Sequence, residues 1–510
     1  MTEPSGDNVV ALQQRLQNSS ISSSAAPSAG GKGGKGKASQ ATVLAGMALA
    51  RYDIRADPTG TVYALPKDGP HIARPLRGGG GSSLRSELSK LHRRRWGNVP
   101  TQSALTDAIT SLEGEAADAE PVEMHLRVAE HDGALWLDLA DDKGRAVRID
   151  ATGWEVVDHP PVWFRRTAVT QPLPMPEQGG SFDPLWELVN VDPDGRVLVQ
   201  AVEVATLFPN ISHPVTYLLA EQGSGKTTAG RMLGGLADPS FPEVRKPPKD
   251  DDSWVTAAAG SHVVVIDNLS HIDTWLSDAL CRAVTGEGDV RRQLYTDGEL
   301  HVVAFRRCIW LTGIALSGVR DDLADRLVTL NLRRITSQRR TEAEILAGWE
   351  IAHPGVLGAL LDLTVRALAA LPTVTTDDLP RMADFTHILR AVDVVQGTDG
   401  AARYAESVQQ TAADLAEADP VAVALTKVVQ SPLLRMTSAE VADVFDHYWL
   451  HNAPYRTPAR WPNTPQRLAN ALTRVMPTLT RLGWNITKHE RGGKEKTLRW
   501  SITPPGSYPL

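Results

Sequence analysis

Val215-Thr216-Tyr217-Leu218-Leu219-Ala220-Glu221-Gln222-Gly223-Ser224-Gly225-Lys226-Thr227-Thr228 is the stretch whose reading decides the fold. Its first five residues are apolar and β-favouring, so they predict a short buried strand. A glycine-bearing loop follows, and a helix-compatible run begins at Thr228. Strand, glycine loop and helix together are the setting of a phosphate-binding loop of the Walker A pattern, here with Ala in its first position. Gly223 and Gly225 let backbone N–H groups curl around phosphate oxygens, and the helix N-terminus adds partial positive charge beneath them. Lys226 can reach the β and γ phosphates, and the Thr227 hydroxyl can hold Mg²⁺. Gly223, Ser224, Gly225, Lys226, Thr227 and Thr228 are therefore the expected ATP-binding set.

Downstream, His262-Val263-Val264-Val265-Ile266-Asp267-Asn268 reads as a buried parallel strand. It delivers a carboxylate to its C-terminal end, where open α/β sheets bind ligands. Asp267 is the expected second Mg²⁺ contact. Asn268 follows it, and an amide can orient a water but cannot accept its proton, so the general base is open. Asp273 and Glu287 are weak candidates. A third strand, Cys308 to Thr312, ends in a hydroxyl that either faces the γ-phosphate region or satisfies its own strand end. Arg326 precedes a fourth apolar strand. It either completes a neighbouring subunit's site or pairs internally with Asp322 or Asp325.

Residues 1–40 are rich in Ser, Gly, Ala and Lys and bury too little to offset ordering entropy. Residues 41–180 read as a small α+β domain. His131-Asp132-Gly133 is a hairpin signal, and Ser82 to Trp96 is a helix bearing Arg93, Arg94 and Arg95. Asp138, Asp141 and Asp142 fit a turn better than a metal site. The ATPase core spans 181–335 and a helical lid 336–419. In the lid, Thr341 and Glu344 suit a capping box, and Arg381 either senses nucleotide or packs.

Residues 420–510 read as a winged helix. Thr437 and Glu440 suit another capping box, and Thr464-Pro465 should start a helix that Pro477 kinks or ends. Arg467, Arg474 and Arg481, seven apart, share a face of that helix. Lys488, Arg491, Lys494 and Lys496 decorate the following hairpin. The last 60 residues carry ten Lys/Arg against two Asp/Glu, although the whole chain is at −7. One basic module on an acidic body is a partner-binding layout, suited to duplex DNA.

With 42% apolar and 22% charged residues the composition is that of a soluble globular chain. Two cysteines, Cys281 and Cys308, exclude a disulfide framework and a zinc site built of thiolates. No run of about 18 apolar residues is present to span a bilayer. A cytoplasmic protein without membrane contact is expected.

The motif order, with Leu280 to Tyr295 carrying Thr285-Gly286, Gly288-Asp289, Arg291 and Leu294-Tyr295, resembles the AAA+ ATPases. Within them it resembles the superfamily-three helicases and the helicase half of phage and plasmid primase-helicases. The whole chain looks most like ATP-binding proteins encoded by phages and integrative elements of actinobacteria. The resemblance implies an α/β fold: a P-loop AAA+ core with parallel sheet, an N-terminal α+β domain and a C-terminal winged helix. It also implies a pore hairpin bearing Arg291, Arg292 and His301, single-stranded DNA in that pore, and a homo-oligomeric ring, a hexamer. Function would be an ATP-dependent DNA motor, helicase or helicase loader. The alternative is an ATP-gated DNA-binding regulator that scarcely hydrolyses. Asn268 and the acidic hairpin tip, Asp297 and Glu299, depart from the family pattern and favour the second.

Overall fold

The computed structural model describes residues 38–77, 83–221, 223–287, 289–292, 300–303, 305–314, 319–335, 340–451, 461–489 and 498–507, with backbone alone at 289–292, 300–303, 418 and 449–451. At the N-terminal end lie α1 (Gln40–Leu49), β1 (Tyr52–Ala56), β2 (Val62–Pro66), α2 (Leu84–Trp96) and α3 (Gln102–Ala117). Their apolar faces make a separate small core around Leu44, Leu84, Leu88 and Leu112. Next comes an antiparallel meander of β3 (Val128–His131), β4 (Ala134–Asp138), β5 (Ala146–Asp150) and β6 (Gly153–Val157). Asp132 and Gly133 both take positive φ, as the two-residue turn between β3 and β4 requires.

The centre of the molecule is a four-stranded parallel sheet flanked by helices. In chain order the next elements are α4 (Asp183–Leu188), α5 (Arg196–Thr206), β7 (Val215–Leu219), α6 (Lys226–Gly235), α7 (Asp251–Ala259), β8 (Val263–Ile266), α8 (Thr274–Thr285), β9 (Asp289–Arg292), β10 (Leu300–Val303), β11 (Cys308–Gly313), α9 (Asp321–Ala324) and β12 (Leu327–Asn331). The sheet order is β8-β11-β7-β12, all parallel. The glycine-loop strand and the aspartate strand are thus not neighbours, and β11 lies between them. All four strands are nearly continuous apolar runs because helices cover both faces.

Two features fix the helix after the glycine loop. Gly230 and Gly234 lie against the sheet, where a Cβ at Gly234 would collide with Val265 and one at Gly230 would press on Thr312 and Val265. The absent side chains let α6 sit close to β8 and β11. At its far end Asp238 is buried and accepts from Arg127 Nε (2.7 Å), His262 N (2.7 Å) and Val263 N (2.8 Å). Arg127 also donates to the carbonyls of Asp138 and Gln171. This buried pair joins the antiparallel meander to the parallel sheet. One apolar core runs through both, from Leu137 and Ile149 to Val265, Trp310 and Leu330.

A helical layer follows: α10 (Glu342–Ala370), α11 (Ala383–Gln396) and α12 (Gly400–Ala418). The Thr341/Glu344 capping box is formed. Pro354 stays inside α10, and its carbonyl accepts from Glu177 N (3.0 Å). By length and composition α10 could cross a membrane, yet half of its apolar window is buried against the rest of the chain.

The last unit comprises α13 (Pro420–Val428), β13 (Leu433–Thr437), α14 (Ser438–His451), α15 (Pro465–Arg481), β14 (Asn485–His489) and β15 (Arg499–Thr503). Its antiparallel sheet, β13-β15-β14, and three helices enclose a core of Phe445, Leu472, Leu479, Trp484 and Trp500. Thr437 and Glu440 cap α14 reciprocally. Of the two outcomes expected at Pro477, the helix does not end there: it continues through the proline to Arg481. Leu472 and Val475 before the proline and Leu479 after it are all buried in one core, so packing outweighs the lost backbone bond.

Candidate functional site

The carboxyl ends of β7, β8 and β11 converge on one small polar centre. Gly223 and Gly225 take positive φ, +87° and +75°, so the loop folds as only glycine does readily. Gln222 lies outside the described residues. Gly225 is the N-cap of α6, and Thr227 and Thr228 occupy its first turn. Ser224 is buried, and its Oγ has no partner among the described residues. Lys226 Nζ donates to the carbonyls of Ala220 and Glu221, each at 3.0 Å.

Asp267 is the hub of this centre. Thr227 Oγ1 donates to Asp267 Oδ2 at 2.9 Å, and Thr312 Oγ1 donates to Asp267 Oδ1 at 2.5 Å. Thr312, fully buried, also accepts from Asn268 N at 2.9 Å. It therefore holds the aspartate strand end in place instead of only satisfying its own. The set fits a magnesium-bound triphosphate: a hydroxyl and a carboxylate are already paired, a cation lies parked on carbonyls, and a buried hydroxyl inside the loop is unpartnered.

Asn268 is exposed, with φ of +59°. Asn tolerates that left-handed region far better than Glu, because its short side chain can bond locally. The backbone at the end of β8 thus gives a local reason for an amide at this position. Asp273 caps the start of α8 without a side-chain cap bond and lies 3.6 Å from His271. Glu287 is exposed beyond the end of α8.

Arg326 sits elsewhere. It immediately precedes β12, and Val215 N bonds its carbonyl, so it lies at the amino end of the sheet. The glycine loop leaves the other end of β7, five residues or about 16 Å along. Arg326 therefore takes no part in its own chain's loop. Its Nη1 donates to Asp322 O at 2.6 Å and approaches Cys281 Sγ at 3.7 Å. It makes no ion pair with the Asp322 or Asp325 carboxylate among the described contacts. Asp325 instead pairs with Arg481 (2.5 Å) and Arg381 (3.4 Å).

The residues expected to meet DNA divide sharply. β9 and β10 form the hairpin, with Arg291 opposite His301 and Arg292 opposite Leu300. Its tip, including Asp297 and Glu299, lies outside the described residues, as do Arg491, Lys494 and Lys496. On α15, among the described residues, only Arg467 has no acidic partner; it bonds Asn463 at 2.9 Å and is exposed. Arg474 pairs with Asp419 at 2.7 Å, and Arg481 turns to Asp325 on the central body. Sevenfold spacing gave the shared face, but not that this face borders α12 and α9. Lys488 is exposed and lies 5.8 Å over the Trp500 ring. Near the N-terminus, Arg93, Arg94 and Arg95 crowd the last turn of α2, and Arg95 stacks on Trp96. Asp138 is buried against Arg166, and Asp141 holds Arg145 and its own turn; both are structural.

Reading along the chain did not single out Gly230, Gly234, Arg127 or Asp238. A Gly-x-x-x-Gly spacing was the available signal for the first two. The second pair joins positions 111 apart and left no local trace.

Among solved structures the chain is similar to SCCmec type IV Cch, an active helicase, at 11% identity over 89% of this chain and 93% of that one, with a TM-score of 0.44. It is also similar to the apo C-terminal region of NrS-1, at 10% identity over 92% of this chain and 100% of that one, with a TM-score of 0.40. No curated protein matches the chain significantly. The family model of the actinomycete integrative conjugative element replication protein matches residues 182–414. That of the C-terminal domain of the same replication proteins matches residues 421–508. The two matches together take in more than half of the chain, which belongs to the replication proteins of actinomycete integrative conjugative elements.

Proposed function

We propose that this replication protein is an ATP-driven DNA motor with a P-loop AAA+ core, working as a helicase or helicase loader in a homo-oligomeric ring, a hexamer. The observation that carries the reading is the Thr227–Asp267–Thr312 centre beside the glycine loop. Bound Mg-ATP would supply the phosphoanhydride whose cleavage drives movement. Lys226 would leave the Ala220 and Glu221 carbonyls for the phosphates. Thr227 and Asp267 would hold Mg²⁺, with Thr312 fixing the carboxylate's angle. Backbone N–H groups of Gly223, Ser224 and Gly225, with Thr228 in the first helical turn, would line the phosphate cradle.

Arg326, remote from its own loop, would act on the nucleotide of the adjacent subunit. Arg291, Arg292 and His301 would meet single-stranded DNA in the ring's pore. The C-terminal unit, read as a winged helix, would meet duplex DNA through Arg467, Lys488, Arg491, Lys494 and Lys496. Arg474 and Arg481 belong to that surface only if their ion pairs open.

A second reading rests on Asn268. With an amide at this position, the chain would bind ATP as a gate for DNA binding and turn it over slowly. Turnover with and without forked DNA, measured on the full chain beside Lys226→Ala and Arg326→Ala, separates the two. A motor shows DNA-stimulated turnover lost in both variants and partly regained on mixing them. A gate shows tight ATP binding and no turnover on any DNA.

A further inference from the structure

The amino ends of β7, β8 and β11 bring a different set of groups together. His213 stands two residues before β7, His262 one before β8, and Cys308 opens β11. Parallel register aligns Val263 with Cys308 and Val215 with Ile309, so three positions far apart in sequence meet at one end of the sheet. All three side chains are buried, at 1%, 5% and 3% exposure. One ligating atom of each lies within 4.8 Å of the other two. Cys308 Sγ and His262 Nε2 are 3.5 Å apart. A tetrahedral zinc with bonds of about 2.3 Å to sulfur and about 2.05 Å to nitrogen would hold those two atoms about 3.5 Å apart.

The two imidazoles stand edge to face, with ring centres 5.9 Å apart. His213 Nε2 has no hydrogen-bond partner among the described residues. A polar nitrogen buried without a partner is destabilising, and such a group calls for a reason. Glu203, on α5, is a second one: 1% exposed, with Oε1 unpartnered among the described residues. Thr206, three residues on and so on the same face of α5, presents its carbonyl to His262 Nε2 at 2.8 Å.

We propose that His213, His262 and Cys308 form a structural zinc site that ties together the amino ends of three sheet strands, with Glu203 as the fourth donor. One thiolate and two imidazoles suit Zn²⁺ over the hard cation of the nucleotide centre. The site is distinct from that centre, lies at the other end of the sheet, and stands or falls without it.

The binding step balances simply. The Cys308 thiol gives its proton to solvent and its sulfur lone pair to the metal. His262 moves its proton from Nε2 to Nδ1, releases the Thr206 carbonyl and offers Nε2. His213 offers the lone pair of Nε2. Glu203, which burial keeps protonated in the metal-free chain, likewise gives its proton to solvent and offers a carboxylate oxygen, so two protons leave per zinc bound and no electron is transferred.

The test uses the full chain, produced with zinc in the medium, without a polyhistidine tag, and dialysed into metal-free buffer. Elemental analysis should find about one zinc per chain. Cys308→Ser and His213→Ala should each fall below about a tenth of that, whereas Lys226→Ala should retain it. Cobalt added to chelator-stripped wild type should give a thiolate-to-cobalt absorption band in the near ultraviolet, absent from Cys308→Ser. Glu203→Gln should keep that band and weaken zinc retention about 10–100-fold. If the variants fail to fold, the wild type alone decides. Its melting temperature should fall on stripping and return with Zn²⁺ and not with Mg²⁺. Wild-type protein without zinc, with no cobalt band and no change in melting temperature on adding Zn²⁺, would overturn the proposal and leave a metal-free polar cluster.

Discussion

The two ends of the parallel sheet do different work with similar means. At the carboxyl ends, Thr227, Asp267 and Lys226 are partly or largely open, and their polar groups bond one another and nearby carbonyls within reach of solvent. At the amino ends, Arg127, Asp238, His213, His262 and Cys308 are shut away from water. The geometry of a parallel sheet explains the division, because every strand there delivers its last residues to one rim and its first to the other. The open rim can change partners, as the proposed nucleotide chemistry would need. The closed rim has to satisfy its charges internally and so sets stability. Substitutions should therefore sort by rim: turnover at one, stability at the other.

The largest effect should come from the closed rim. Arg127→Met leaves the Asp238 carboxylate buried without its cation, which costs about 3–5 kcal/mol. Chemical denaturation should show that loss, and ATP affinity of the folded fraction should stay unchanged. At the open rim, Lys226→Ala should lower turnover about 10²–10³-fold and leave the denaturation midpoint in place. Either substitution acting on both quantities equally would break the comparison.

His353 tests the packing behind α6. Its Nε2 donates to the Leu236 carbonyl at the end of that helix, its ring stacks on Trp349, and burial drives its pKa down to about 4. The unfolded chain, titrating near 6.5, binds more protons between those values. Stability is therefore full above about pH 6.5 and falls as pH drops toward 4, by about 3 kcal/mol. His353→Gln should flatten that limb of the stability profile.

Gly234→Ala should cost about 1–3 kcal/mol, since its Cβ must displace Val265. It also pushes α6 off the sheet, so ATP affinity should fall with stability, which makes this the one position where the rims couple. Arg481→Ala, which removes the 2.5 Å contact to Asp325, should have the smallest effect on stability, about 1 kcal/mol. Faster proteolysis between the central body and the C-terminal unit would reveal it.

How much of this could be read along the chain follows the same division. The open rim was legible because its chemistry is local: Gly223 to Thr227 are contiguous, and Asp267 and Thr312 each end an apolar strand. The helix caps at Thr341, Thr437 and Thr464 were legible for the same reason, and each is formed. The closed rim was not legible, because His213, His262 and Cys308 meet only through strand register, and Arg127 meets Asp238 only when two sheets share a core. Arg481 shows a third case. Its place on a helix face could be read from spacing, but not what lies across from that face. At Pro477 spacing alone leaves open whether the helix kinks or ends, and burial on both sides of the proline decides that it does not stop.

The central claim is that the Thr227–Asp267–Thr312 centre drives a motor shared between subunits. ATP turnover with forked DNA, measured for Lys226→Ala and Arg326→Ala separately and mixed, tests it most directly. Each variant alone should be inactive, and the mixture should regain part of the DNA-stimulated rate, since one chain supplies Lys226 and its neighbour Arg326. Full turnover in Arg326→Ala, or no DNA-stimulated turnover in the unaltered chain, would contradict it.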